Sequence, residues 1–272
     1  PLQRGKSLRA PRFEPAVHKS RRRERQGGKK GKDRLRTIDY RDYLAGSPSS
    51  AAKGKFIAVV TLEGEIRDGN SGFGGVGDRT VADQIRAVRL EPDAAALVLR
   101  VDSPGGSAVA SEMIRRELEL VRKDGKPVVV SMGDTAASGG YWVSLASDVI
   151  VADPMTITGS IGVFGMMPTF EKTLEKLFVG TGGVSTTWLA DARDPSQAMD
   201  PRFEAVMGLT VERTYRDFIS LVAKARKLPV AKVSNLAQGR VYTGRQAAQL
   251  GLVDKLGGLE TAFDEARRLA KL

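Results

Sequence analysis

Apolar residues recur along the body of this chain as short β-branched runs alternating with stretches of helical spacing. Residues 55–62 alternate as a strand, and 64–69 turn out of it. The glycine-rich segment 70–78 predicts a mobile loop. Residues 80–90 have helical spacing, with Thr80 as the candidate N-cap. Strand 95–101, helix 108–123, strand 127–132, helix 138–147 and strand 148–152 follow. This β-α-β order predicts an α/β fold with a largely parallel sheet and flanking helices. Residues 200–227 form a long amphipathic helix with Val206, Leu209, Val211, Phe218 and Leu221 on its apolar positions. The remainder, 241–254, reads as a short extended piece, a helix and a glycine stop, and 259–272 as a final helix.

Two of these strands end in small residues. Strand 127–132 runs into Gly133-Asp-Thr-Ala-Ala-Ser-Gly-Gly-Tyr-Trp142, and strand 95–101 into Asp102-Ser-Pro-Gly-Gly-Ser107. A single serine at a strand-to-helix turn, with small neighbours, lets a substrate carbonyl approach. The following helix start and the second turn offer bare N–H groups to developing negative charge. Ser138 is therefore the candidate nucleophile.

The chemistry open to that serine is narrowed by what the 272 residues lack: there is one histidine, His18, and no cysteine. A Ser-His-Asp triad, a Cys-His pair and a Cys/His zinc site are all improbable, and no metal or other cofactor is expected. The base for Ser138 has to be Lys, Asp or Glu, and lysine is the usual alternative. A lysine at its reference pKa is neutral only about once in 2,500 molecules at pH 7, so burial has to depress it. The absence of cysteine fits an oxidising or exposed compartment.

Charge divides the chain. The net charge is +11, and residues 1–36 hold 14 Lys+Arg against 3 Asp+Glu, leaving 29 of each in the remainder. The basicity belongs to a leader or linker, 1–36, with the composition of a disordered segment. Residues 37–272 are expected to be the folded domain. The leader has the charge to touch nucleic acid or anionic lipid, yet no base-reading or stacking motif accompanies it, so no specific nucleic-acid partner is expected. No run approaches about 18 apolar residues, and the start is polar and basic, so any anchor or export signal is expected outside this chain.

An ordered series of segments carries a family resemblance: Thr37-Ile-Asp-Tyr-Arg-Asp-Tyr43, Ser103-Pro-Gly-Gly-Ser107, Lys126-Pro-Val-Val-Val-Ser-Met132, Ala136-Ala-Ser-Gly-Gly-Tyr-Trp142, Thr158-Gly-Ser-Ile-Gly-Val163, Gly239-Arg-Val-Tyr-Thr-Gly244 and Gly251-Leu-Val-Asp254. Together they resemble the signal peptide peptidase A family, peptidase family S49. The resemblance implies a ClpP/crotonase-like fold and a serine-lysine endopeptidase acting on membrane-associated peptides such as cleaved signal peptides. It implies Ser138 as nucleophile, Gly106 and Gly139 as oxyanion-hole donors with Gly105 shaping the turn, and Ser160 as the serine that orients the lysine. It further implies a homo-oligomer at the bacterial cytoplasmic membrane, with the catalytic body on the periplasmic or outer face.

The lysine departs from part of that family. Short-form members carry it just before the long helix. Here that stretch reads Thr187-Trp-Leu-Ala-Asp-Ala-Arg-Asp-Pro195, and Arg193 cannot act as a base. Long-form members have two related halves, the first bearing the lysine and the second the serine. This chain resembles the second, so its base is expected from a lysine-bearing N-terminal half or a neighbouring subunit. Lys172 and Lys176 are the nearest local substitutes, but their spacing with Glu171 and Glu175 reads as a solvated helix face. An apolar groove for the substrate is expected from Met155, Ile161, Val163, Phe164, Met166 and Met167. Two alternatives stand beside the peptidase: a non-catalytic structural half, and an acyl-CoA enzyme on the same fold.

Overall fold

The computed structural model describes residues 54–71 and 75–272. The basic leader, its boundary at 36, and the Thr37–Tyr43 segment lie outside the described residues. Nine strands are described: β1 (Phe56–Glu63), β2 (Glu65–Arg67), β3 (Gly75–Gly77), β4 (Ala94–Ser103), β5 (Val128–Ala137), β6 (Val149–Ala152), β7 (Ile157–Gly159), β8 (Val241–Thr243) and β9 (Lys255–Leu256). The helices are α1 (Asp78–Leu90), α2 (Ala108–Lys123), α3 (Gly139–Ser144), α4 (Glu171–Lys176), α5 (Pro201–Arg226), α6 (Val230–Leu236), α7 (Gly244–Leu250) and α8 (Leu259–Ala270).

The main sheet runs β1-β4-β5-β6-β9, all parallel, with β7 added beside the end of β5 and β8 antiparallel to β7. This is the α/β, mostly parallel architecture that the strand–helix alternation predicts. β4 and β5 are buried along most of their length, as parallel strands covered on both faces must be. The period of two divides β4 between layers. Leu97, Leu99 and Val101 join a cluster with Ile85, Ile114, Leu118 and Val130. Ala96 and Val98 face Ala262 and Ala266 of α8 with Val129 and Val151.

Several boundaries differ from the sequence expectation. Part of the 70–78 loop is β3, which pairs in parallel with β2. Thr80 does not cap α1. Gly77 is the N-cap, and Thr80 sits one turn in, its Oγ1 accepting from Ser71 N–H at 2.9 Å. The Asp78 carboxylate accepts from Gly69 N–H at 2.6 Å, which closes the loop and starts the helix two residues early. β5 continues through Gly133 and Asp134 because its two ends have different partners: 129–131 pair with β6, and 135–137 with β7. The helix expected over 138–147 is only α3. α5 keeps its caps, an Asp200 side chain accepting from Arg202 N–H and Lys227 in the left-handed conformation. Its apolar face splits, however. Phe218, Ile219, Val222 and Ala223 are buried, whereas Val206 and Leu209 face solvent. Apart from Phe203 near its start, the buried positions of that helix lie at its C-terminal end.

Candidate active site

The C-terminal edge of the parallel strands carries the site, the usual ligand position in such sheets. β5 ends at Ala137, which pairs with Gly159 at the end of β7. The residues that follow, Ser138 and Ser160, therefore stand next to each other. Both have positive φ, 51° at Ser138 and 48° at Ser160, a conformation that non-glycine residues rarely hold. Backbone bonds hold each one. Ser138 N–H donates to Gly159 O at 2.9 Å, Ser160 N–H donates to Arg240 O at 2.8 Å, and Trp142 N–H donates to Ser138 O at 2.8 Å. Both side chains are half-buried, and neither hydroxyl has a hydrogen-bond partner among the described residues.

The turn after β4 faces them. Gly106 is bridged to Ile66 of β2, with Ile66 N–H donating to Gly105 O and Ser107 N–H to Ile66 O, both at 2.8 Å. In a parallel bridge those two bonds use the neighbours of Gly106, so its own N–H points away from β2. Neither the Gly106 nor the Gly139 amide has a partner among the described residues. They are close together: a Cβ built on Gly139 would lie 3.2 Å from Gly106 N and 2.5 Å from Ser111 Oγ. One built on Gly105 would lie 2.8 Å from Ser138 Cβ, and one on Gly106 would strike Ile66 O at 2.0 Å. A serine hydroxyl beside two free amides has the parts of a nucleophile and an oxyanion hole.

Ser138 and Ser160 open into a cavity of about 1120 Å³, walled also by Gly106, Val163, Phe164 and Tyr215. A smaller pocket of about 210 Å³ lies beside Ser138 and Gly139, lined by Trp142, Val163, Phe164 and Phe218. The expected apolar groove is thus only partly where the sequence put it. Val163 and Phe164 line it, Ile161 is buried in the core, Met166 is exposed, and Met155 lines a separate cavity with Arg100 and Asp134. Tyr215, whose hydroxyl accepts from Gln238 N–H at 3.2 Å, and Trp142 were not anticipated; a lone aromatic on a helix carries no local signal of what it faces.

Among the described residues, no lysine, arginine or histidine lines the large cavity, whereas Glu65 and Glu212 do. Lys172 and Lys176 are exposed on α4, in keeping with a solvated face. Arg193 sits with its guanidinium 5.9 Å from the Phe203 ring centroid.

The profile of peptidase family S49 matches residues 121–272, more than half of the chain. The chain belongs to peptidase family S49. It is 48% identical over 246 residues to "Protease 4" of Salmonella typhi, a match that covers 90% of this chain and 39% of that protein. It is 44% identical over 245 residues to "Protease 4" of Haemophilus influenzae, covering 89% and 40%. It is 34% identical to "Serine protease SPPA, chloroplastic" of Arabidopsis thaliana, covering 92% and 38%. The chain spans about two fifths of the length of these relatives. Among solved structures, a ClpP1 point mutant from Listeria monocytogenes aligns with a TM-score of 0.49 at 16% identity, covering 75% of this chain and 94% of that one.

Proposed function

We propose that this chain is the serine-bearing part of a serine-lysine endopeptidase that hydrolyses membrane-associated peptides, including cleaved signal peptides. The observation that carries the reading is Ser138, held at φ 51° beside two amides without partners among the described residues and opening into a cavity that combines Val163, Phe164 and Tyr215 with the carboxylates of Glu65 and Glu212. Ser138 Oγ attacks the peptide carbonyl carbon, and its proton passes to a neutral lysine Nζ. The oxyanion is stabilised by the Gly106 and Gly139 N–H groups. Collapse of the tetrahedral intermediate breaks the C–N bond, the lysine proton goes to the leaving amine, and water then hydrolyses the acyl ester. Ser160, adjacent to Ser138 and without a hydroxyl partner, orients the lysine.

That lysine comes from another domain or subunit. In support, the described cavity walls contain none and carry the carboxylates of Glu65 and Glu212. A carboxylate-lined opening attracts an incoming ammonium. Assembly also has a surface to use. Between residues 164 and 209, Phe164, Met166, Phe178, Val184 and Leu209 are exposed, Phe178 at 98%. We read the exposed apolar residues of 166–209 as part of the contact between subunits of a homo-oligomer. None of the described helices is long and apolar enough to cross a membrane. Placement at the outer face of a bacterial cytoplasmic membrane follows from the family reading, with attachment through segments other than these.

The test is cleavage of an apolar, internally quenched peptide by the assembled protein. Turnover lost in Ser138→Ala supports the reading, and turnover retained in that variant sinks it. The lysine-free cavity favours one second reading, a non-catalytic half that only scaffolds. Its mark is an assembled protein indifferent to Ser138→Ala.

A further inference from the structure

The small pocket beside Ser138 owes one wall to a single indole. Trp142 lies four residues after Ser138, and its main-chain N–H donates to the serine carbonyl, so ring and hydroxyl share one rigid turn. Trp142 is 7% exposed, and its ring packs on Phe218 with centroids 4.5 Å apart. Buried indoles need a partner for their N–H. Here it is Glu112 of α2, whose Oε2 accepts from Trp142 Nε1 at 2.8 Å.

Glu112 is itself held from three sides. Arg115 Nε donates to Oε2 at 2.7 Å, Arg115 Nη2 to Oε1 at 2.9 Å, and Arg116 Nε to Oε1 at 2.8 Å. Arg115 is buried and bonds Glu119 as well. Burial alone would raise the Glu112 carboxyl, but the hydrogen bonds from Arg115, Arg116 and Trp142 outweigh it. The other flank of Trp142 borders a shallow cleft with Val109, Met113 and Leu221. An indole released from Glu112 has that cleft to turn into, and the wall beside Ser138 would open.

We propose that Glu112 is a positioning residue that acts through Trp142. It fixes the depth of the pocket receiving the substrate side chain on the acyl side of the scissile bond, and so sets a preference for a larger apolar side chain over a small one. The inference rests on reading Ser138 as the nucleophile. Among the described residues the pocket lining carries no charged group, and a volume of about 210 Å³ is better filled by leucine than by alanine.

The experiment uses a Trp188→Phe background, in which Trp142 is the only tryptophan. Glu112→Gln keeps an acceptor for the indole, and Glu112→Leu removes it. Thermal melts establish that each variant is folded. In Glu112→Leu, Trp142 emission moves to the red and acrylamide quenching increases. In the assembly containing the lysine-bearing half, the rate ratio for phosphonates presenting leucine or alanine falls by about tenfold, with the alanine rate nearly unchanged. Glu112→Gln restores both readouts. Unchanged emission in Glu112→Leu, equal slowing of both probes, or failure of Glu112→Gln to restore the ratio would each overturn the proposal. If neither probe labels the unsubstituted assembly, the peptidase reading falls. The emission arm then decides alone whether Glu112 holds the indole, a shift supporting it and no shift overturning it.

Discussion

Replacing Gly106 by alanine separates the oxyanion role from ordinary turn geometry. A Cβ there meets Ile66 O at 2.0 Å on a backbone with φ of +146°, so the turn has to move by more than an ångström. That displacement breaks the Ile66–Gly105 and Ser107–Ile66 hydrogen bonds, each contributing about 1 kcal/mol. A φ of +146°, well outside the left-handed α region, adds roughly 1–3 kcal/mol. The sum is about 3–5 kcal/mol, a Tm loss on the order of 10 °C for a domain of this size. Gly125→Ala is the control, because Gly125 has φ of +86° with nothing within 4 Å of the added methyl. It should lose only the conformational part, about 1–2 kcal/mol. Acylation by a serine-directed phosphonate, measured in the lysine-containing assembly well below both midpoints, should fall about 10²–10³-fold in Gly106→Ala, the loss of one oxyanion donor. Gly125→Ala should react at the unsubstituted rate. Acylation of Gly106→Ala within about threefold of normal, together with the expected Tm loss, would refute the assignment of its amide to the oxyanion hole.

Ser138→Gly should raise the stability of the chain by about 1–3 kcal/mol, because glycine accepts φ 51° without strain, while abolishing phosphonate labelling; calorimetry and mass spectrometry read the two effects. Phe218→Ala should cost about 3–5 kcal/mol, since its ring is 1% exposed and backs Trp142, and a denaturant midpoint shift measures it. The pH dependence of Trp142 emission follows from Glu112. Its carboxyl is brought down to about 2, so its stabilising contribution is complete above the ordinary carboxylate range and lost as pH falls through the folded value. In the Trp188→Phe background emission should be flat from neutral pH to about 4.5 and change only on approach to 2, and a midpoint in the ordinary carboxylate range would contradict the network.

Much of the fold was legible because its signals are local. α2 begins and ends where the sequence places it, since Ser107 accepts from Ala110 N–H at 3.2 Å and so caps the first turn. α5 is bounded by Asp200 and Lys227 for the same kind of reason. β3 was missed because Gly75–Gly77 has no strand signature and exists only through its pairing with β2. The second half of β5 reads as a turn from Gly133 and Asp134, and only β7 makes it a strand. Ser138, Gly106 and Gly139 were legible as strand-end residues. The adjacency of Ser138 and Ser160 follows from a register between strands, and the Glu112–Trp142 contact joins residues thirty positions apart on two helices. Neither leaves a trace in local periodicity. The exposed half of α5 shows the same limit in reverse, since an apolar face predicts burial without naming what buries it.

The central claim is that Ser138 is a nucleophile whose base lies outside this chain. Phosphonate acylation of Ser138, read by mass spectrometry on the chain alone and again with a lysine-bearing half added, tests it most directly. The account predicts labelling only after the half is added, and none in Ser138→Ala. Labelling of the lone chain at Ser138 would contradict the external base, and no labelling in either sample would contradict the nucleophile itself.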